Sequence, residues 1–184
     1  MRILSLILIA LLTWSRASSA EDPAVPALDT RLITLASAPT LTAKDHEFLI
    51  TRSKELDSEG CVATALLFKH WPDQHREEFK KFYGVDPAVK LIVLPDQEIN
   101  ARVNARLREL KGRHPLEVTS QLYLMVRRSG YASKRPNGDE LSLEAMFRGA
   151  VFTGITGSGK IEDVHRLSAI ADGKTPPSQS SSSP

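Results

Sequence analysis

Gly154 to Lys160 (GITGSGK) carries the glycines and lysine of a phosphate-cradling loop, in which backbone amides and one ammonium face an oxyanion. Ile161 stands where such a loop needs a Ser or Thr for Mg²⁺, and too little chain follows to complete a nucleotide-binding domain. The stretch is therefore read as a tight turn. The five histidines, His46, His70, His75, His114 and His165, contain no i, i+4 pair that would set two imidazoles on one ion from a single helix. His46 and Glu47 open an H-E-x-x-H string, but Ile50 fills its last place. His70 and His75 flank Pro72 and would meet on a metal only through a loop, so no metal and no cofactor is expected. Cys61 is the only cysteine, which excludes an internal disulfide. It adjoins an apolar run with no basic neighbour, the setting of a buried inert thiol more than of a nucleophile.

Two further groups of residues are candidates for binding. Between Arg102 and Arg135 nine basic residues stand against Glu109 and Glu117. Within that stretch Arg102, Arg106, Arg113, Arg127 and Arg128 are the candidate contacts to an anionic surface such as a sulfated glycan, an anionic lipid or an acidic partner. The plainer reading, a solvated helix face partly tied by Glu109 and Arg113 at i, i+4, is favoured. Trp71, beside His70 and Pro72, is placed for a pocket mouth, and Tyr123 with Met125 for its lining. No Asp, Glu or His can be assigned a catalytic role.

Compartment follows from the first twenty residues. A positive start at Met1 and Arg2, the apolar run Ile3 to Trp14, and Ser18 and Ala20 at the minus three and minus one places make a cleavable export signal. The run is too short for a membrane span. Processing there predicts a secreted or periplasmic protein. It removes Arg2 and Arg16 from 24 basic residues and nothing from 22 acidic ones, leaving 22 against 22. With a neutral mature chain, the whole-chain net charge of +2 is a poor argument for nucleic acid or membrane partners; neither nucleic acid nor a membrane span is expected.

The elements that must position these residues are expected as follows. Residues 21–41 read as an extended, proline-containing lead-in, 42–171 as one α+β domain, and 172–184 as a disordered Pro- and Ser-rich tail. Thr42 and Asp45 form a capping box for a helix that Gly60 stops, Cys61 to Phe68 is a second, buried helix, and Gln74 to Tyr83 a third ending at Gly84. Ala88 to Leu94 reads as a buried strand. Asp96 caps a helix with an Ile99, Val103, Leu107, Leu110 stripe, stopped at Gly112. Leu116 to Val126, Leu141 to Val151 and Ile161 to Ile170 alternate like antiparallel strands. The first two would be joined through the turn residues from Ser129 to Glu140, including Asn137 and Gly138, and the last two by the turn at Gly157 to Lys160. The class expected is α+β, with N-terminal helices packed on a curved antiparallel sheet.

That order of elements, and FRGAVFTGITGSGKIEDVHRL from Phe147 to Leu167 in particular, resembles the NTF2-like superfamily of ketosteroid-isomerase and SnoaL-like domains. The resemblance implies a cone in which a sheet closes over a helix around an apolar pocket, used for ligands or catalysis in some members and for dimerisation in others. The catalytic Asp or His pair of the enzyme members finds no matching position here. The expected function is an exported, non-catalytic binding or interaction module for a small apolar ligand or a protein partner, with a homodimer among the open assemblies. The alternatives are a small isomerase- or hydratase-like enzyme in the same pocket, and an anionic-surface binder acting through residues 102–135.

Overall fold

The computed structural model describes residues 27–84, 86, 88–134, 139–156 and 161–174. The export signal, the Asn137–Gly138 turn, the turn at Gly157 to Lys160 and nearly all of the Pro- and Ser-rich tail lie outside them. Among the described residues the chain builds eight helices and three short strands. In order these are α1 Thr30–Ser37, α2 Ala43–Arg52, α3 Ser58–His70, α4 Pro72–Tyr83, β1 Ile92–Val93, α5 Asp96–Glu109, α6 Pro115–Ser129, β2 Tyr131–Lys134, β3 Glu140–Ser142, α7 Leu143–Thr156 and α8 Ile161–Ala171. None of these helices is long and apolar enough to cross a membrane.

Helix α3 is the centre. Every residue from Gly60 to Phe68 is buried, because α1, α2, α4, α6 and α7 all pack against it. Asp57 starts it by accepting hydrogen bonds from the Glu59 and Gly60 amides. Gly60, expected to end the preceding helix, lies instead in the first turn of α3. A side chain there would put Cβ 1.8 Å from the Glu55 carbonyl oxygen, so the chain can fold back this closely only over a glycine. Helix α2 begins as expected: Thr42 Oγ1 and the Asp45 carboxylate exchange hydrogen bonds with each other's backbone amides. Trp71 alone separates α3 from α4, and Pro72, lacking an amide proton, occupies the first position of α4, where none is needed. The Ile99, Val103, Leu107, Leu110 stripe of α5 is buried, and Gly112 adopts a positive φ of 82°.

The α+β expectation, with its curved antiparallel sheet and NTF2-like cone, is overturned: the protein is mostly helical. Leu116 to Val126, read as a strand, is most of α6. That helix is buried on nearly every side, so the contrast between apolar and polar faces that marks a helical period is lost and a chance alternation dominates. Its punctuation was helical throughout, with Pro115 at the first turn, His114 Nδ1 accepting from the Leu116 amide, and Gly130 ending it at φ 66°. Leu141 to Val151, the second expected strand, contributes only β3 and then enters α7, where Phe147, Val151 and Ile155 recur every four residues and are buried. Ile161 to Ile170, the third, is α8, with Val164, Leu167, Ile170 and Ala171 buried at helical spacing. The Phe147 to Leu167 segment that carried the family resemblance is thus helical wherever it is described.

The sheet is minimal, in the order β1-β2-β3. β1 pairs in parallel with β2, Ile92 opposite Tyr131, and β2 pairs antiparallel with β3, Ala132 opposite Ser142. A hairpin does exist here, but its strands lie within or beside the segment assigned to its turn. Ala88 to Leu94, expected to be a buried strand, is paired only at Ile92 and Val93, and Leu91, Ile92 and Val93 are exposed. The segment expected to be an extended lead-in contains α1, capped by Asp29 and packed on α3 and α7 through Leu32, Leu35 and Ala36.

Gly60→Ala is expected to lower unfolding free energy by about 1–3 kcal/mol, the usual cost of forced overpacking, in a urea titration; an unchanged midpoint would mean that Glu55 does not lie over Gly60. Asp45, held down to about 2 by hydrogen bonds from Thr42 and Arg31, has a folded pKa below its ordinary value of 3.8. It therefore stabilises the fold above that value and loses its contribution as pH falls from about 4 to about 2. Asp45→Asn should flatten the acid limb of a thermal-stability profile over that window.

Candidate functional site

The carbonyls at the C-terminal end of α4 have no partners within the helix, and side chains from α6 and α7 supply them. Tyr123 Oη donates to the Phe82 carbonyl at 3.2 Å, Arg127 Nη1 to the Gly84 carbonyl at 3.0 Å, and Arg148 Nη1 to the Tyr83 carbonyl at 2.8 Å. Arg127 and Arg148 are cations at the negative end of a helix dipole, where positive charge is favoured. Each is also ion-paired, Arg127 with Glu144 at 3.0 Å and Arg148 with Asp172 at 2.6 Å. Lys69 does the same elsewhere, donating to Ile155 at the end of α7 and to Ala36 at the end of α1.

This anchoring holds α4 away from α6 along a groove of about 890 Å³. Its apolar lining comes from Ile50 of α2, Leu56, Leu67 of α3, Phe82 of α4, Val89 and Leu124 of α6. Lys54, Lys81, Arg127 and Arg128 bring four positive charges to the same groove, against Glu78 and Asp86. Arg127 is committed to α4 and Glu144, and Arg128 Nη2 donates to the Leu56 carbonyl at 2.7 Å, pinning the loop before α3. Lys54 and Lys81 are exposed and have no carboxylate within ion-pair distance among the described residues. Leu56 is 75% exposed beside them, an apolar side chain left uncovered at the groove.

His75 also lines this groove. It sits at a break in α4, with φ −119° and ψ 18° inside the helical run, which turns its ring toward α2. There His75 Nε2 lies 2.8 Å from His46 Nε2, and the Trp71 ring packs against His46 at 4.3 Å between centroids. Burial, and then the neighbouring His46, lower the His75 pKa below its ordinary 6.5. Burial likewise lowers His70, whose Nε2 has no hydrogen-bond partner among the described residues.

The residues expected to form an apolar pocket do not converge. Tyr123 is wholly buried, stacked on Tyr83 at 5.2 Å. Trp71 is half-buried against His46, and Met125 lines a second groove, about 640 Å³, between α5 and α6. That groove receives Arg102, Arg106 and Arg128 of the basic stretch. Most of its charge is answered locally: Arg102 pairs with Glu98 at 2.6 Å and lies 2.8 Å from Tyr131 Oη, and Arg106 pairs with Glu109 at 2.5 Å and donates to Gln121. Arg113 stands 3.9 Å from the buried Glu117. Arg102, Arg106, Arg113 and Arg127 of the stretch are thus paired with carboxylates, through Glu98, Glu109, Glu117 and Glu144, whereas the expected Glu109–Arg113 tie gives way to Arg106–Glu109 and Arg113–Glu117.

A carboxylate with a raised pKa inside the pocket would mark catalysis. Burial does raise Glu144, with Arg127 opposing, but its partners are Arg127 and Tyr123, and it does not line the groove. Cys61 is enclosed in α3, its Sγ 3.1 Å from Tyr83 Oη while that hydroxyl donates to the Cys61 carbonyl at 2.5 Å. Burial pushes its thiol up to about 12. Sequence reasoning missed Lys54, Lys81 and the His46–His75 contact; the first two are ordinary surface lysines by any local rule, and the histidines are 29 positions apart.

No family profile, curated protein or solved structure matches this chain.

Cys61 should not react with a disulfide-exchange reagent at pH 8 in the native protein and should react fully in guanidinium; rapid native labelling would mean that α3 opens at that residue.

Proposed function

We propose that this protein is an exported, non-catalytic binding module whose groove between α4 and α6 takes an amphiphilic anion, with an apolar body on Leu67, Phe82 and Leu124 and an acidic head near Lys54 and Lys81. The single observation that carries the reading is the conjunction, in one groove of about 890 Å³, of an apolar lining with two cations that have no acidic partner among the described residues. That volume lies within the range of roughly 300–1,000 Å³ typical of small-molecule sites. Apolar contact would supply most of the affinity, and the lysines would select the sign of the head group. The leader-like residues from Met1 to Ala20 support action outside the cytoplasm. The ion pairs of Arg102 with Glu98 and of Arg106 with Glu109 weigh against the 102–135 stretch as the docking surface for an anionic partner, because they offset charge at its centre.

Calorimetric titration with dodecanoate and with dodecyltrimethylammonium, which share a chain length and differ in head-group sign, tests this. Dodecanoate is expected to bind and the ammonium not to. Lys54→Glu with Lys81→Glu should weaken dodecanoate about tenfold, equivalent to roughly 1.4 kcal/mol. Equal binding of both amphiphiles, or no effect of the charge reversals, would sink the assignment.

A further inference from the structure

The sheet order β1-β2-β3 leaves β1 at an edge, and that edge is open. The Ile92 amide donates to the Gly130 carbonyl at 2.8 Å and the Leu94 amide to the Ala132 carbonyl at 3.0 Å, so the even-numbered residues of this segment face β2. By the alternation of a strand, Leu91 and Val93 turn their amides and carbonyls to the other side, and neither amide has a hydrogen-bond partner among the described residues. The side chains of Leu91, Ile92 and Val93 are each 40% to 50% exposed, and with Leu56 they are the large apolar side chains left exposed among the described residues.

We propose that this edge joins two copies of the chain, their β1 strands pairing antiparallel about a twofold axis at Val93 so that the two sheets become one. The residues set opposite one another in that register are complementary. Val93 meets its own copy and exchanges both hydrogen bonds with it, which only an outward-facing residue can do. Leu91 meets Pro95, Ile92 meets Leu94, and Lys90 meets Asp96. Lys90 and Asp96 are exposed and have no ion-pair partner among the described residues, so the register gives each of these charges an opposite one on both sides of the axis. A register centred on Ile92 would instead set Lys90 against the apolar Leu94. Pro95 has no amide proton to donate, so the pairing stops there and does not run on into an open assembly. Residues 91–95 of each copy make an interface at the small end of specific contacts, and the association is expected to be weak, in the micromolar range. It does not depend on what the groove between α4 and α6 binds.

The test is sedimentation velocity of the full chain over a rising concentration series, with amide hydrogen exchange read at each concentration. A reversible monomer–dimer equilibrium is expected, in which the Leu91 and Val93 amides gain protection as dimer forms while those of Ile92 and Leu94, already bonded to β2, change little. Because this readout uses the unaltered chain, it survives any misfolding of a variant. Val93→Lys, which sets two like charges on the axis at an exposed position, should weaken the dimer at least about tenfold. A mixture of Ile92→Cys and Leu94→Cys chains should form a disulfide between unlike chains, and Ile92→Cys alone should form none. A chain that stays monomeric up to near-millimolar concentration, a dimer indifferent to Val93→Lys, or a disulfide formed by Ile92→Cys alone would each overturn the proposal. So would full protection of Leu91 and Val93 already in the dilute monomer, the result expected if the chain covers its own edge.

Discussion

Enclosure of α3 on all sides is the constraint from which the rest of the structure follows. A helix that exposes no face must be surrounded, and the chain surrounds it with five others, each of which contributes one apolar stripe. Two consequences are local. The chain entering α3 must pass so close to its first turn that only Gly60 fits beneath the Glu55 carbonyl. The chain leaving it must reverse at once, which Trp71 and Pro72 accomplish in a single residue between helices. That abrupt reversal lays α4 along α3, with Phe79 stacked on Phe68 at 4.2 Å and Tyr83 reaching back to the Cys61 carbonyl.

Such packing brings a helix end into the interior, and a buried helix end leaves carbonyls that must find donors. The solution is cationic and aromatic. Tyr123, Arg127 and Arg148 cover the last carbonyls of α4, with Glu144 and Asp172 balancing the two guanidinium groups. Because Arg127 and Arg128 are adjacent on α6, one secures α4 and the other secures the loop at Leu56. The groove lies between these two attachments. Its shape is therefore a by-product of how buried backbone groups are satisfied, and its chemistry comes from the side chains left over, notably Lys54, Lys81 and Leu56.

How much of this was legible depends on the element. Helix α2 was readable because Thr42 and Asp45 act through contacts three residues apart, within reach of any local rule. Helix α5 was readable because it has one wet and one dry face. Helices α6, α7 and α8 were misread as strands for the opposite reason. Val118, Leu122 and Leu124 of α6 are all buried, as are the polar Glu117, Thr119 and Ser120 beside them, so polarity does not mark one wet face and the two periods are hard to tell apart. The signals that did distinguish them, His114 and Pro115 before α6 and Gly130 after it, were outweighed by alternation. The same error spread to the site, since Tyr123 and Met125 were assigned to faces of a strand that is a helix.

The sequence by itself determined where several helices begin and end, and that Cys61 would be enclosed and without a disulfide partner. Each of these depends on residues a few positions apart, for which distance along the chain and distance in space nearly coincide. Only the tertiary structure decided which residues share a site. The meeting of His46 with His75, the gathering of Lys54 and Lys81 beside Leu67 and Leu124, and the capping of α4 by Arg127 and Arg148 all join separate helices. Their geometry is set by how α3 is surrounded, a collective packing problem that no local spacing encodes.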